Sequence, residues 1–176
     1  MIHNNQYEKE MIVADTSALI SIASINHLNT FLTEFDIHTT ETVMEELEET
    51  SEYNDSHGDT AETVLDNRDR ITTHQVKGGF KSSRIDPGEG SCTLLTKKID
   101  AEFLITDDLR ALPELQNLTD ANVAISPIVL KALVQRDVLD QKEALQKLDE
   151  LAKKRDWLDA PIHRRAKNLF DSYGRS

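Results

Sequence analysis

Met11-Ile12-Val13-Ala14-Asp15-Thr16-Ser17-Ala18-Leu19-Ile20, residues 11–20, decides the reading of the fold. Four consecutive apolar residues match a short strand buried on both faces, and they run without a break into Asp-Thr-Ser, residue types that start helices. Thr16 or Ser17 is suited to cap a helix whose apolar positions begin Ala18, Leu19, Ile22. A buried strand handed straight to a helix is the repeating unit of a parallel sheet covered by helices.

The same alternation continues along the chain. Leu28, Phe31 and Leu32 mark a second helix, and residues 35–39 a strand. TETVMEELEE follows, with Val43 and Leu47 one turn apart on a core-facing side. Residues 51–58 read as an exposed loop, 60–69 as a helix through Ala61, Val64 and Leu65, 71–76 as a weakly alternating strand, and 77–85 as a mobile Gly- and Ser-containing loop. Asp86-Pro87-Gly88-Glu89 opens the helix GEGSCTLLTKKIDA, with Glu89 in the first turn, where the helix dipole favours a carboxylate. Residues 102–106 (EFLIT) form the next strand, LRALPEL a short helix, residues 122–126 a last strand, and 127–173 helices broken near Asp140 and at Pro161. The fold class is α/β: a central parallel sheet with helices on both faces, residues 1–140 forming the main domain and 141–176 a helical C-terminal extension.

A chain of 176 residues with 38% apolar content suits one domain with a sizeable core. Its formal charge of -12 excludes binding to a polyanion through overall charge. The charge is uneven: residues 142–176 carry nine basic and six acidic side chains, leaving an acidic body with a mildly basic tail, the only local positive field available to a nucleic acid. The single cysteine, Cys92, excludes an intramolecular disulfide and multi-cysteine metal sites, and it packs as a core residue. The first ten residues lack a basic and apolar leader, and no apolar run approaches the ~18 residues of a membrane span, so a cytoplasmic location with no membrane partner is expected.

Two strands end in acid, the first at Asp15 and EFLIT at Asp107-Asp108. Ligands of open parallel sheets bind beyond the carboxyl ends of the strands, so these acids converge on one crevice. Glu45 or Glu46, after the second strand, and Glu89 add carboxylates to the same rim. Acids so crowded need a countercharge, and an all-oxygen donor set selects a hard cation, Mg²⁺ or Mn²⁺. Activation of water for hydrolysis of a phosphate ester is the chemistry that such sites support.

The runs IVADTSALI, VMEEL, DPGEGSCTLL and AEFLITDDLRAL, in that order and spacing, resemble a PIN domain, the fold of VapC-type toxin ribonucleases, over about residues 11–130. The resemblance implies a three-layer fold in which Asp15 takes the place of the first-strand metal ligand, with Thr16 or Ser17 as neighbouring hydroxyl. Glu46 takes that of the helix glutamate, with Glu45 the alternative. Glu89 takes that of the next acid, and Asp107 or Asp108, preceded by Thr106, that of the last. It further implies a Mg²⁺- or Mn²⁺-dependent endoribonuclease cutting single-stranded RNA, commonly a homodimer and held inactive by a small antitoxin protein. The helices after about residue 140 are additions to that pattern.

Other constellations point to ordinary structure. The six histidines, His3, His27, His38, His57, His74 and His163, lack metal-ligand spacing. Ser17 lacks a nucleophile elbow, and the glycines of DPGEG form no phosphate-loop or dinucleotide fingerprint. Arg110 either steadies a phosphate or pairs with Asp107. A catalytically silent interaction protein of the same fold is one rival reading. A phosphomonoesterase of the haloacid-dehalogenase kind is another, weakened by Ser17 standing where that pattern wants a second Asp.

Overall fold

The computed structural model describes residues 9–78 and 82–171; His3, Tyr173, Arg175 and part of the 77–85 loop lie outside them. Five parallel strands form one sheet: β1 (Met11–Ala14), β2 (Asp36–Thr40), β3 (Thr72–His74), β4 (Phe103–Ile105) and β5 (Asn122–Ala124), in the order β3-β2-β1-β4-β5. The helices among the described residues are α1 (Thr16–Ser24), α2 (Leu28–Glu34), α3 (Glu41–Ser51), α4 (Ser56–Asp66), α5 (Pro87–Ile99), α6 (Leu112–Leu118), α7 (Pro127–Gln135), α8 (Gln141–Lys154) and α9 (Pro161–Asp171). Helices cover both faces: α5 lies against β1, β2 and β4, while α7 brings Ile128, Val129 and Ala132 towards Ile12, Phe103 and Ile105. The α/β three-layer expectation is met.

Several local boundaries differ from the sequence reading. The cap of α1 is Asp15 itself, not Thr16 or Ser17: its Oδ1 accepts from the Ala18 N–H at 3.0 Å and from Ser17 Oγ at 2.8 Å. Half of the expected 51–58 loop is helical: α3 runs to Ser51, and Asp55 caps α4 by accepting from the Gly58 N–H, which starts that helix at Ser56. Gly58 is required there, since a Cβ would overlap the Tyr53 backbone. Helix α4 stops at Asp66, and a 3₁₀ turn, Arg68–Arg70, leads into a strand of three residues rather than six.

The strand order reverses between β2 and β4, with β1 at the centre, so the connections leaving β1 and β4 diverge and open a crevice at their carboxyl ends. Registers Val13 with Leu104 and Ala14 with Ile105 set Asp15 beside the residues after β4. The Asp15 N–H donates to the Ile105 carbonyl at 3.1 Å, extending the pairing by one residue.

The hydrophobic interior has two parts. The larger joins the sheet to α1–α5 and α7 around Phe31, Leu19, Leu47, Leu95 and Leu104. The second joins Ile25, Ile125 and Leu130 to Leu148, Leu151, Trp157, Ile162 and Phe170 of the C-terminal helices. Residues 141–171 are thus held against the ends of α1 and β5 by apolar burial. Lys147 and Lys154 fix the register by donating to the carbonyls of Ile25, at 3.2 Å, and Ser24, at 2.9 Å.

Candidate metal and phosphate centre

Beyond the carboxyl ends of β1 and β4 lies a cavity of about 420 Å³ whose walls include Asp15, Glu46, Glu89, Asp108 and Arg155. Asp15 is 4% exposed and Glu89 3%. Each acid arrives by a different local device. Asp15 is set by the cap described above. Glu46 sits on α3, whose N-terminus is fixed twice: Thr40 Oγ1 accepts from the Val43 N–H at 3.2 Å and is hydrogen-bonded to Ser91 Oγ of α5 at 2.8 Å. The phase that buries Val43, Met44 and Leu47 turns Glu46 towards the cavity and leaves Glu45 exposed. Thr16 donates its hydroxyl to Glu46 Oε1, tying α1 to α3 across the rim.

Glu89 closes a capping box at the start of α5. Asp86 Oδ1 accepts from the Glu89 N–H at 2.8 Å and Glu89 Oε1 from the Asp86 N–H at 3.0 Å. Its other oxygen, Oε2, is buried without a hydrogen-bond partner.

The adjacent acids after β4 have different jobs. Asp107 Oδ2 accepts from Ser21 Oγ and Oδ1 from the Ser126 N–H, both at 2.6 Å, so its carboxylate fastens α1 to the start of α7 and does not line the cavity. Asp108 lines the cavity while Oδ1 accepts from the Arg110 N–H at 2.9 Å. Ser17 connects the two strand ends, donating to Asp15 and accepting from the Asp107 N–H at 2.9 Å.

Burial dominates the electrostatics. It pushes the Asp15 carboxyl up to about 7, against hydrogen bonds from Thr106, Ala18 and Ser17 that favour the charge. It pushes Glu89 up to about 8, with the charges of Asp86, Asp15 and Asp108 adding to the effect. Glu46 and Asp107 are raised as well, chiefly by burial. Arg155 is shifted down by its own burial, opposed by Asp107 and Asp15.

The cavity fits a hard divalent cation by its chemistry: its acidic donors are all oxygen, one buried carboxylate oxygen has no partner, and the acids ionise reluctantly without a countercharge. Among the described residues, however, no three His, Cys, Asp or Glu side chains stand as a finished coordination cluster. Thr16 and the Asp86 N–H instead hold individual oxygens of Glu46 and Glu89.

Asp86, Glu49, Thr50 and Arg155 also line the cavity, beyond the site residues that the sequence suggests. Asp86 was legible as the first residue of a capping box, and Glu49 and Thr50 follow Glu46 by three and four residues on α3. Arg155 had no local signal beyond the basic tail. Its approach depends on the second core and on the end of α8, where Asp156 takes a left-handed conformation at φ 58.

No curated protein matches the sequence. Among solved structures, a PilT N-terminus domain protein from the hyperthermophilic archaeon Sulfolobus solfataricus is similar, with 14% identity, a TM-score of 0.47, and coverage of 69% of this chain and 92% of that one. The DUF3368 family, described as a PIN domain, matches residues 11–172, and so takes in the C-terminal helices as well as the sheet. With that match spanning nearly the whole chain, and with the parallel sheet and acid-lined crevice in place, the chain belongs to the PIN-domain family, whose fold is of nuclease type.

Proposed function

We propose that this protein is a Mg²⁺- or Mn²⁺-dependent endoribonuclease that hydrolyses phosphodiester bonds of single-stranded RNA. The observation that carries the reading is the meeting of Asp15, Glu46, Glu89 and Asp108, from four separate elements, around one cavity at the reversal point of the sheet. These four residues would hold the cation, with Asp107 supporting them from behind through Ser21 and Ser126. When bound, the ion supplies the countercharge that lets the acids ionise and activates water for in-line attack on phosphorus, leaving a 5′-phosphate and a 3′-hydroxyl. The chain's own residues prepare the ground. Ser17 and the Ala18 N–H aim Asp15, Thr16 aims Glu46, and the Asp86 N–H holds one Glu89 oxygen so that the other is left for a ligand.

The partners that go with this reading are a small antitoxin protein that silences the enzyme and a second copy of this chain in a homodimer. No helix among the described residues is long and apolar enough to cross a membrane.

The test is cleavage of end-labelled single-stranded RNA with Mn²⁺ or Mg²⁺, with EDTA, and by Asp15→Asn. Cleavage that needs the ion and Asp15 is expected. Cleavage that survives either block removes the mechanism, and an intact fold that binds Mn²⁺ and RNA without cutting identifies a silent binding protein.

A further inference from the structure

The acid cavity has a neighbour on each side. One, of about 150 Å³, shares Ile20 and Arg155 with it and is also lined by Lys154 and His57. The other, of about 350 Å³, shares Asp86, Glu89 and Asp108 and is also lined by Arg84 and Arg110. Both neighbours thus share walls with the acid cavity and add cations to them, Lys154 beside Arg155 in one and Arg84 and Arg110 beside the shared carboxylates in the other. Among the described residues, Arg84, Arg110 and Arg155 form no salt bridge with any carboxylate, and Arg155 Nε is buried without a hydrogen-bond partner. Lys154 is held at the wall by the Ser24 carbonyl at 2.9 Å and lies 3.6 Å from Glu150. Guanidinium groups kept beside carboxylates yet unpaired are available to an external anion, and their planar forks suit phosphate oxygens.

We propose that the three cavities form one track for a single nucleic-acid strand: the central cavity takes the phosphate that is cut, Arg84 and Arg110 hold the phosphate on one side of it, and Lys154 and Arg155 the phosphate on the other. The proposal rests on the nuclease reading for the identity of the chain that is gripped. It gives the C-terminal helices a direct part in substrate binding, and it explains how a protein of charge -12 holds a polyanion, through two local cationic ends rather than a basic face. The carboxylates of Asp86, Glu89 and Asp108 along the track repel a phosphate chain until a cation neutralises them, so strand binding and divalent-ion binding reinforce each other.

The experiment measures fluorescence anisotropy of a labelled 12-nucleotide single-stranded RNA with the full chain in Ca²⁺, over a salt series. The variants are Arg110→Gln, Lys154→Gln, Arg155→Lys and the double Arg110→Gln/Lys154→Gln, with Lys142→Gln, which lines none of the three cavities, as control; melting curves verify folding. Arg110→Gln and Lys154→Gln are each expected to weaken binding several-fold and to reduce the slope of log K against log salt by about one, as loss of one phosphate contact does, whereas Arg155→Lys keeps its charge and weakens binding with the slope unchanged. The double variant shows the sum, Arg155→Lys loses less than Lys154→Gln, and replacing Ca²⁺ with EDTA weakens binding by the wild type. Wild-type affinity in all variants, or loss confined to one flank, overturns the track. Tighter binding by Arg155→Lys overturns it too, since Arg155 would then serve the acids and not the strand. The two readings fail separately: RNA held as expected but uncut with Mn²⁺ removes the nuclease, and RNA cut with variant affinities unchanged removes the track.

Discussion

Gly88 stands against the Glu46 carboxylate so closely that a Cβ on it would lie 2.8 Å from Oε2 and nearer still to Oε1. The glycine at the second position of α5 therefore makes the space in which the α3 acid reaches the cavity. The obstructed group is the far end of a flexible side chain, so it can move away at little cost to the fold. Gly88→Ala is expected to leave stability unchanged or raise it by about 0.5–1 kcal/mol, the usual helix gain of alanine over glycine. Mn²⁺ affinity and cleavage fall by about 10- to 100-fold, as when a support of a metal ligand is lost. Denaturant melts and Mn²⁺ titration on one preparation separate the two effects; unchanged Mn²⁺ affinity refutes the role given to Glu46.

Burial of Asp15 and Glu89 gives the ion-free protein a definite pH dependence. Their carboxyls stand at about 7 and about 8 in the fold, above their ordinary values of 3.8 and 4.5. The folded state therefore retains protons that the unfolded chain has released, and unfolding free energy falls as pH rises. The contribution is complete below about pH 4 and is lost as pH climbs through about 7 to 8. In EDTA the Tm should drop from pH 5 to pH 8.5, Mn²⁺ should restore it most at the alkaline end, and Asp15→Asn should flatten the EDTA curve while abolishing cleavage. A Tm in EDTA that rises across this range contradicts the burial argument.

Asp107 and Asp108 should separate into stability and function. Asp107→Ala leaves the Ser126 N–H and Ser21 Oγ without their acceptors and should cost about 1–3 kcal/mol in urea unfolding. Asp108→Asn keeps an oxygen for the Arg110 N–H, so stability stays near wild type while Mn²⁺ affinity and cleavage fall. The reverse pattern would exchange the two roles.

Cys92 reports on the integrity of the sheet under the site. Its side chain is fully buried, with Sγ 3.9 Å from the Ala14 carbonyl at the end of β1, and burial raises its thiol well above the ordinary value. A disulfide reagent should fail to modify it in the native protein and should modify it fully in denaturant. Labelling at a rate independent of unfolding would show that the interface of β1 and α5 opens locally.

Local sequence settled the α/β alternation, the strand ends at Asp15 and Asp107-Asp108, the helix opening from Asp86 to Glu89, and the breaks at Asp140 and Pro161. Each depends on periodicity, capping chemistry or ring geometry within a few residues. Sequence also put the acids on one rim, because strands of a parallel sheet end on the same side. Tertiary structure alone decided the rest. Glu46 faces the cavity and Glu45 solvent because Val43 and Leu47 pack inward. Asp108 lines the cavity and Asp107 does not, because Ser21 and Ser126, 86 and 19 residues away, claim the latter's oxygens. Arg155 arrives among acids up to 140 positions earlier because Leu148, Leu151 and Trp157 bury themselves against Ile25 and Ile125. Non-directional apolar burial brought these distant segments together, and no pattern confined to one stretch of chain records which partners it selects.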